Sequence, residues 1–458
     1  PAWREVSTWY ASVQAELLPA LLSTFPPLGS ATKLGPSTLL RLARVALSSG
    51  RGYAESLFRT EAARRMLPGL ALHTDVGPDD PLGAIVGFML AVTASYGGFA
   101  VPEGGAGIVT DSLSDTLSLI DLSTGKLFDQ RPVGRNPVDI DGPHHVAVSL
   151  ERGEAFIALS YPVYGDAGPH AGHGGSRRLG WVQRLSLRDL SLLGEARVEP
   201  NPGDIALSAD GRRVVVSHFD LERAVAAGGD LELARASLAV FDPDRLKLPS
   251  SGTARFIQTC VAPHGMALTR PDGARAFVAC YGEDRLALVD LDGEGEVELF
   301  DVGPGASFGA PSYGPYVAAL SPDQSYVVVS NLVSKDLRFF DVASKSFDLD
   351  RTLQVQGVPM FPAFVAGGTE LLLPVQTPDG IVRFDLGTGE VLASRAFVGD
   401  ECRFPHSVEV HGEQAFVVCE GDKASPGKVV RLEADLGISA GAEVGVFPDA
   451  MAIVPSSR

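Results

Sequence analysis

Along most of the chain, apolar and polar residues alternate in runs of five to eight, broken by glycine, proline and aspartate turns. Alternation with period two predicts half-buried strands, because successive side chains leave a strand on opposite faces. The first hundred residues differ. "STWYASVQAELLPALLSTF" and "STLLRLARVALSSGRGYAESLFRTEAARRML" space their apolar residues as amphipathic helices do, with Ser or Thr near their starts. The uncharged run "LGAIVGFMLAVTASYGGFAV" (82–101) lacks basic flanks and is rich in Gly, Ala, Ser and Thr. It predicts a buried helix leading into a strand rather than a membrane span. The expected organisation is a helical segment over 1–102 and an all-β domain over 103–458.

The β region repeats. Seven segments start with proline and an apolar strand: "GPHHVAVS", "NPGDIALS", "APHGMALT", "GPYVAALS", "FPAFVAGG", "FPHSVEVH" and "FPDAMAIV". Turns such as "SADG", "RPDG" and "SPDQ" follow, then a β-rich strand, then a third that often ends in Asp. Four strands per unit and a period of 40–60 residues predict a β-propeller. "FPDAMAIVP" at the C-terminus is a first strand without successors, while "GIVTDSLSDTLSLIDL" (107–122) is a second and third strand without a first. Joining them completes a seventh blade and closes the ring.

This order of proline, apolar strand, polar turn, β strand and Asp-terminated strand resembles the YVTN-type repeat propellers, a group with lactonase-like and surface-layer-type members. The resemblance covers residues 103–458 and implies the propeller fold. The repeat's Tyr and Asn are mostly replaced, Asn331 being the clearest survivor, and no lactonase active-site motif carries over.

Connectivity then places candidate chemistry. The residues after the seven prolines, Asp449, His144, Gly203, His264, Tyr316, Ala363 and His406, should form a ring where the central channel opens. Imidazoles and a carboxylate are ligands for Zn, Cu or Fe. His144, His264 and His406 are the expected metal ligands, with Asp449 as a fourth ligand or an orienting partner and Tyr316 as a hydrogen-bond donor. His145, His218 and, in a Gly-rich loop, His170 and His173 should share that rim, so that seven of the nine histidines cluster on one face. The insertion 218–237 should help wall a pocket there. The bland alternative is that these side chains satisfy backbone groups or hold channel water.

The four cysteines occur as two phrases, Cys260…Cys280 and Cys402…Cys419. Each predicts a cross-strand disulfide within one blade and an oxidising compartment: periplasmic, cell-surface or secreted. A thiolate–imidazole metal site is the rival. The chain begins with Pro1 rather than Met, in keeping with removal of a leader. Net charge is −18 without a basic cluster, which excludes a nucleic-acid partner. A small molecule or a protein at the rim is the expected partner. The function classes left are a metal-binding propeller, a metal-free interaction or envelope scaffold, and a lactonase-like hydrolase.

Overall fold

The computed structural model describes Val6, Trp9 and residues 35–456, except 73–75, 97–101, 103, 137, 164–173 and 249–253. The chain divides into two compact units, Pro1–Phe99 and Ala100–Arg458.

In the first unit, helices occupy Pro36–Ala46, Gly50–Leu57, Glu61–Arg64, Met66–Leu72 and Gly83–Tyr96. Ser49 and Thr60 cap two of them by accepting the N–H of Gly52 and Ala63. Gly83–Tyr96 is the apolar run read above, and its Ala84 and Phe88 are buried with Leu67, Val45, Ala54 and Tyr53. Gly87 permits that packing, since a Cβ there would lie 2.2 Å from the carbonyl oxygen of Leu67. Among the described residues, no helix is long and apolar enough to cross a membrane.

The second unit is a seven-bladed β-propeller. Each blade is an antiparallel sheet whose strands follow in chain order from the axis outwards. Blades 1–4 and 6 start at Pro143, Pro202, Pro263, Pro315 and Pro405. Blade 7 pairs the C-terminal strand Pro448–Val454 with Ala106–Asp111, Thr116–Asp121 and Lys126–Pro132, and so closes the ring.

One backbone device recurs in every blade. The residue before the inner strand is left-handed: Gly142, Asn201, Ala262, Gly314, Gly357, Phe404 and Phe447 all have positive φ. In six blades its carbonyl accepts the N–H of the residue just past the second strand, from Ser160, Phe219, Tyr281, Leu332, Glu420 and Ser112. A register shift follows at once, where the inner strand holds one residue more than its partner. Such a bulge re-aims a side chain. Here it acts on the residues after the prolines.

Blade 5 departs from the expected alignment. Its inner strand starts at Gly357–Val358, with Val358 opposite Gln376, four residues before the Phe361–Pro362 pair that the sequence pattern suggests. The strand breaks after Pro359 and resumes at Ala363, which pairs with Leu372. Phe361 lies in the gap, its N–H donated to the carbonyl of His406 at 3.0 Å.

Cys260–Cys280 and Cys402–Cys419 are disulfides, and among the described residues no cysteine is free. The pairs are those expected, but Cys260–Cys280 joins two blades and Cys402–Cys419 joins a blade to the connection before it, rather than each lying between two strands of one blade. Cys260 is the penultimate residue of the outermost strand of blade 2 (Arg255–Val261), and Cys280 ends the second strand of blade 3 (Arg275–Cys280). Cys402 lies between the outermost strand of blade 5 and the inner strand of blade 6, and Cys419 ends the second strand of blade 6. With all four sulfurs committed, the thiolate–imidazole site is overturned.

Candidate metal centre

In six blades the inner strand is buried over its first four residues and half-buried at the fifth and sixth. The proline face of the axis is therefore closed, where the sequence pattern suggested an open mouth. His144, His264, His406, Tyr316 and Asp449 are all fully buried, and His145 nearly so. The insertion after His218 forms two short helices, Leu221–Ala226 and Leu231–Ala234. Their Leu221, Ala224 and Leu231 pack with Phe219, Tyr316 and Met360 into an apolar plug rather than a pocket wall.

Beneath this plug the bulges bring the imidazoles together. Ring centroids lie 4.6 Å apart for His144–His145, 6.0 Å for His144–His264 and for His145–His264, and 6.1 Å for His145–His406. Two imidazoles on one tetrahedral ion, at about 2.0–2.1 Å from each nitrogen, would hold their centroids about 5 Å apart. The observed separations bracket that value.

Oxygens hold three of the rings by Nδ1: carboxylates for His144 and His145, and for His406 the main-chain carbonyl of Asp449 at 2.8 Å. Asp449 Oδ2 is in close contact with His144 Nδ1, and Asp449 Oδ1 is 2.9 Å from His406 Nδ1. Asp204 Oδ1 is 2.8 Å from His145 Nδ1. Asp204 is itself fixed by the N–H groups of Ile205 at 2.7 Å and Met266 at 2.9 Å. A carboxylate on Nδ1 sets the tautomer that leaves Nε2 as the ligating nitrogen. Nε2 of His145 is buried without a hydrogen-bond partner.

Electrostatics divide the cluster. Burial holds His144 below the usual imidazole range, against the pull of Asp449. Burial also opposes charge on His406, but Asp449 and Glu420 outweigh it and raise the group to about 9. Burial pushes Glu420 up to about 7. Tyr316 is driven well above its ordinary value by burial and by Asp449, so it stays a neutral phenol.

His264 stacks on Tyr316, with centroids 3.8 Å apart and planes at 19°. Gly203 makes space for it, because a Cβ there would lie 3.1 Å from His264 Cδ2 and 3.0 Å from Phe219 Cβ. Phe361, not Ala363, is the contribution of blade 5, its ring 4.9 Å from His145 and 5.1 Å from His406. Two sets of donor atoms lie within 4.8 Å of one another: His144, His145 and Asp449, and His406, Glu420 and Asp449.

His218 is buried elsewhere. Its Nδ1 meets the Ser237 carbonyl at 2.7 Å, and burial lowers it to about 4. Strand alternation explains this, since the next residue, Phe219, is the one 4.8 Å from His264. His170 and His173 lie outside the described residues. Asp204, Glu420 and Phe361 were missed by sequence reasoning. Asp204 directly follows Gly203, so shifting the ring register by one residue would have found it; Glu420 follows the second strand of blade 6 and lies outside that ring.

No protein-family model and no curated sequence matches the chain. Solved structures share its fold. A protein of unknown function from Desulfotomaculum acetoxidans has a TM-score of 0.55 at 10% identity, covering 77% of this chain and 100% of its own. A candidate 6-phosphogluconolactonase from Bacteroides uniformis has 0.54 at 13%, covering 77% and 100%. The periplasmic gluconolactonase of Pseudomonas aeruginosa has 0.54 at 14%, covering 76% and 99%. At these identities the likeness is one of fold.

Proposed function

We propose that the protein binds a transition-metal ion in the buried cluster on the propeller axis, through His144, His145, His264 and His406 with Asp449. One observation carries this reading above the others: three of the imidazoles are anchored by Nδ1 on oxygens, His144 and His145 on the carboxylates of Asp449 and Asp204 and His406 on the main-chain carbonyl of Asp449, the arrangement that orients a histidine for metal. Satisfying backbone groups would not need so many rings around one point. The donors are nitrogen and oxygen only, which suits Zn, Cu(II) or Fe. The two disulfides support an oxidising compartment, periplasmic, cell-surface or secreted.

Once bound, the ion would serve as a Lewis acid or a redox centre, and a small molecule or protein at the rim would reach it only after the apolar plug moves. Lactone hydrolysis, the activity in the name of the Pseudomonas aeruginosa neighbour, needs a base that substrate can touch. Burial of all four imidazoles favours metal retention over that alternative.

Elemental analysis of protein purified without a histidine tag tests the proposal. Stoichiometric Zn, Cu or Fe, lost in His264→Ala and His406→Ala, is the expected result. Metal-free protein that keeps full stability when challenged with a chelator and gains none from added metal would leave a metal-free scaffold instead.

A further inference from the structure

The plug closes the proline end of the axis, and the other end has a wall of its own. Past the bulge each inner strand alternates strictly again, and pairing with the second strand fixes its fifth residue. In five of the six uninterrupted blades that residue is alanine: Ala147, Ala206, Ala267, Ala319 and Ala452. All five are half-buried in mid-strand, as residues lining the central channel of a propeller are. Exposure grows along this wall. The second residues His144, His264 and His406 are at 0%, the third residues His145 and Asp204 are at 5% and 7%, and the alanines are half-buried. The cluster is thus the floor of a channel that opens away from the prolines, with His145 and Asp204 the first of its groups met from that end.

Blade 6 breaks the ring of alanines. It places Glu409 at that position, half-buried and opposite Phe416. No cation or hydrogen-bond donor offsets the carboxyl, and burial alone pushes it up to about 7. Such a placement costs stability, and the other five blades show that the architecture does not need it. Three residues of strand, about 10 Å, separate Glu409 from His406. That is too far to share an ion with the cluster. A lone carboxylate on the apolar wall of a narrow channel draws cations, because low-dielectric walls focus its field. A cation beside it also favours its ionised form.

We infer that divalent transition-metal ions reach the cluster through the channel end opposite the prolines, and that Glu409 receives them on the way. This rests on the metal-binding reading and adds an entry site, where a hydrated divalent cation is held transiently by one carboxylate. Glu409 speeds passage in both directions without joining the final coordination sphere.

Stopped-flow mixing of untagged, metal-free protein with Co(II) tests this, since the visible absorption of the nitrogen-ligated ion appears only on arrival. Glu409→Ala gives blade 6 the residue of the other five, and Glu409→Gln keeps the side chain's size. Both should bind Co(II) with wild-type stoichiometry and affinity, while uptake and release each slow about tenfold. The wild-type uptake rate should fall more steeply with added salt than that of either variant. Ala267→Phe narrows the ring without touching charge and should slow uptake as well. Equal rates in wild type and Glu409→Ala overturn the role of Glu409. Slower uptake with unchanged release, and so weaker binding, places Glu409 at the ion's final site and overturns its assignment to the path. Unslowed uptake in Ala267→Phe overturns the channel as the route. A wild type that takes up no Co(II) at equilibrium overturns the metal-binding reading, and this inference with it.

Discussion

Gly203 is the residue on which the shape of the cluster turns. It occupies the position that gives histidine in three other blades, and its missing side chain is filled by the ring of His264. Gly203→Ala should displace that ring by a few tenths of an ångström. We expect metal affinity to fall about tenfold, as when an orienting contact is lost, while folding stability changes by about 1–2 kcal/mol. Titration calorimetry beside a denaturant melt separates the two. Asp111, away from the cluster, carries a pH dependence of its own. Burial raises its carboxyl from 3.8 to about 6, despite hydrogen bonds from Ser118 and Thr116. The folded state therefore holds its proton longer than the unfolded chain. Stability from this group is full below about pH 4 and declines as pH rises to 6, by about 3 kcal/mol in all. Asp111→Asn should flatten that decline, and the difference between wild-type and variant unfolding free energies from pH 4 to 7 measures it. His144, His264, His406, Tyr316 and Asp449 were legible as a set because each follows a repeated proline. Asp204 was not, because a bulge lets the inner strand present two consecutive residues to the same side, and period-two reasoning allows only one; Glu420 was not, because it comes from the end of a second strand rather than from the residues after the prolines.

At the scale of elements, strand pairing and blade count were legible, since a proline, a turn and an Asp-terminated strand recur with fixed phase. The fifth blade was misplaced by four residues because "FPAF" imitates the repeat while Gly357 carries the left-handed turn. The cysteines illustrate the same limit. Spacing alone identified the pairs, but a residue a few positions before an inner strand can belong to either neighbouring blade. As built, the bonds tie blade 2 to blade 3 and the blade 5–6 connection to blade 6. Their loops span 20 and 17 residues, so each should contribute about 3 kcal/mol by restricting the unfolded chain. Cys402→Ser with Cys419→Ser should lower unfolding free energy by that amount. The intact wild-type mass should be four hydrogens short of the reduced form, with no thiol open to alkylation before reduction.

For the propeller as a whole, closure and chemistry meet in one strand. Pro448–Val454 is the inner strand of blade 7, and it carries Asp449, the residue that touches both His144 and His406. A chain ending at Val446 leaves Ala106–Asp111 as a bare inner edge and removes the carboxylate that anchors His144 together. It should lose the cooperative thermal transition of the full chain, whereas Asp449→Asn should keep the transition and lose the metal. Differential scanning calorimetry of the two distinguishes architecture from ligation. Anomalous diffraction at the zinc edge, from crystals of zinc-loaded protein, tests the central claim most directly. A peak on the propeller axis within about 2.0–2.2 Å of Nε2 of at least two of His144, His145, His264 and His406 is predicted. Zinc found only on the surface, with the axial cluster empty at saturating metal, would contradict it.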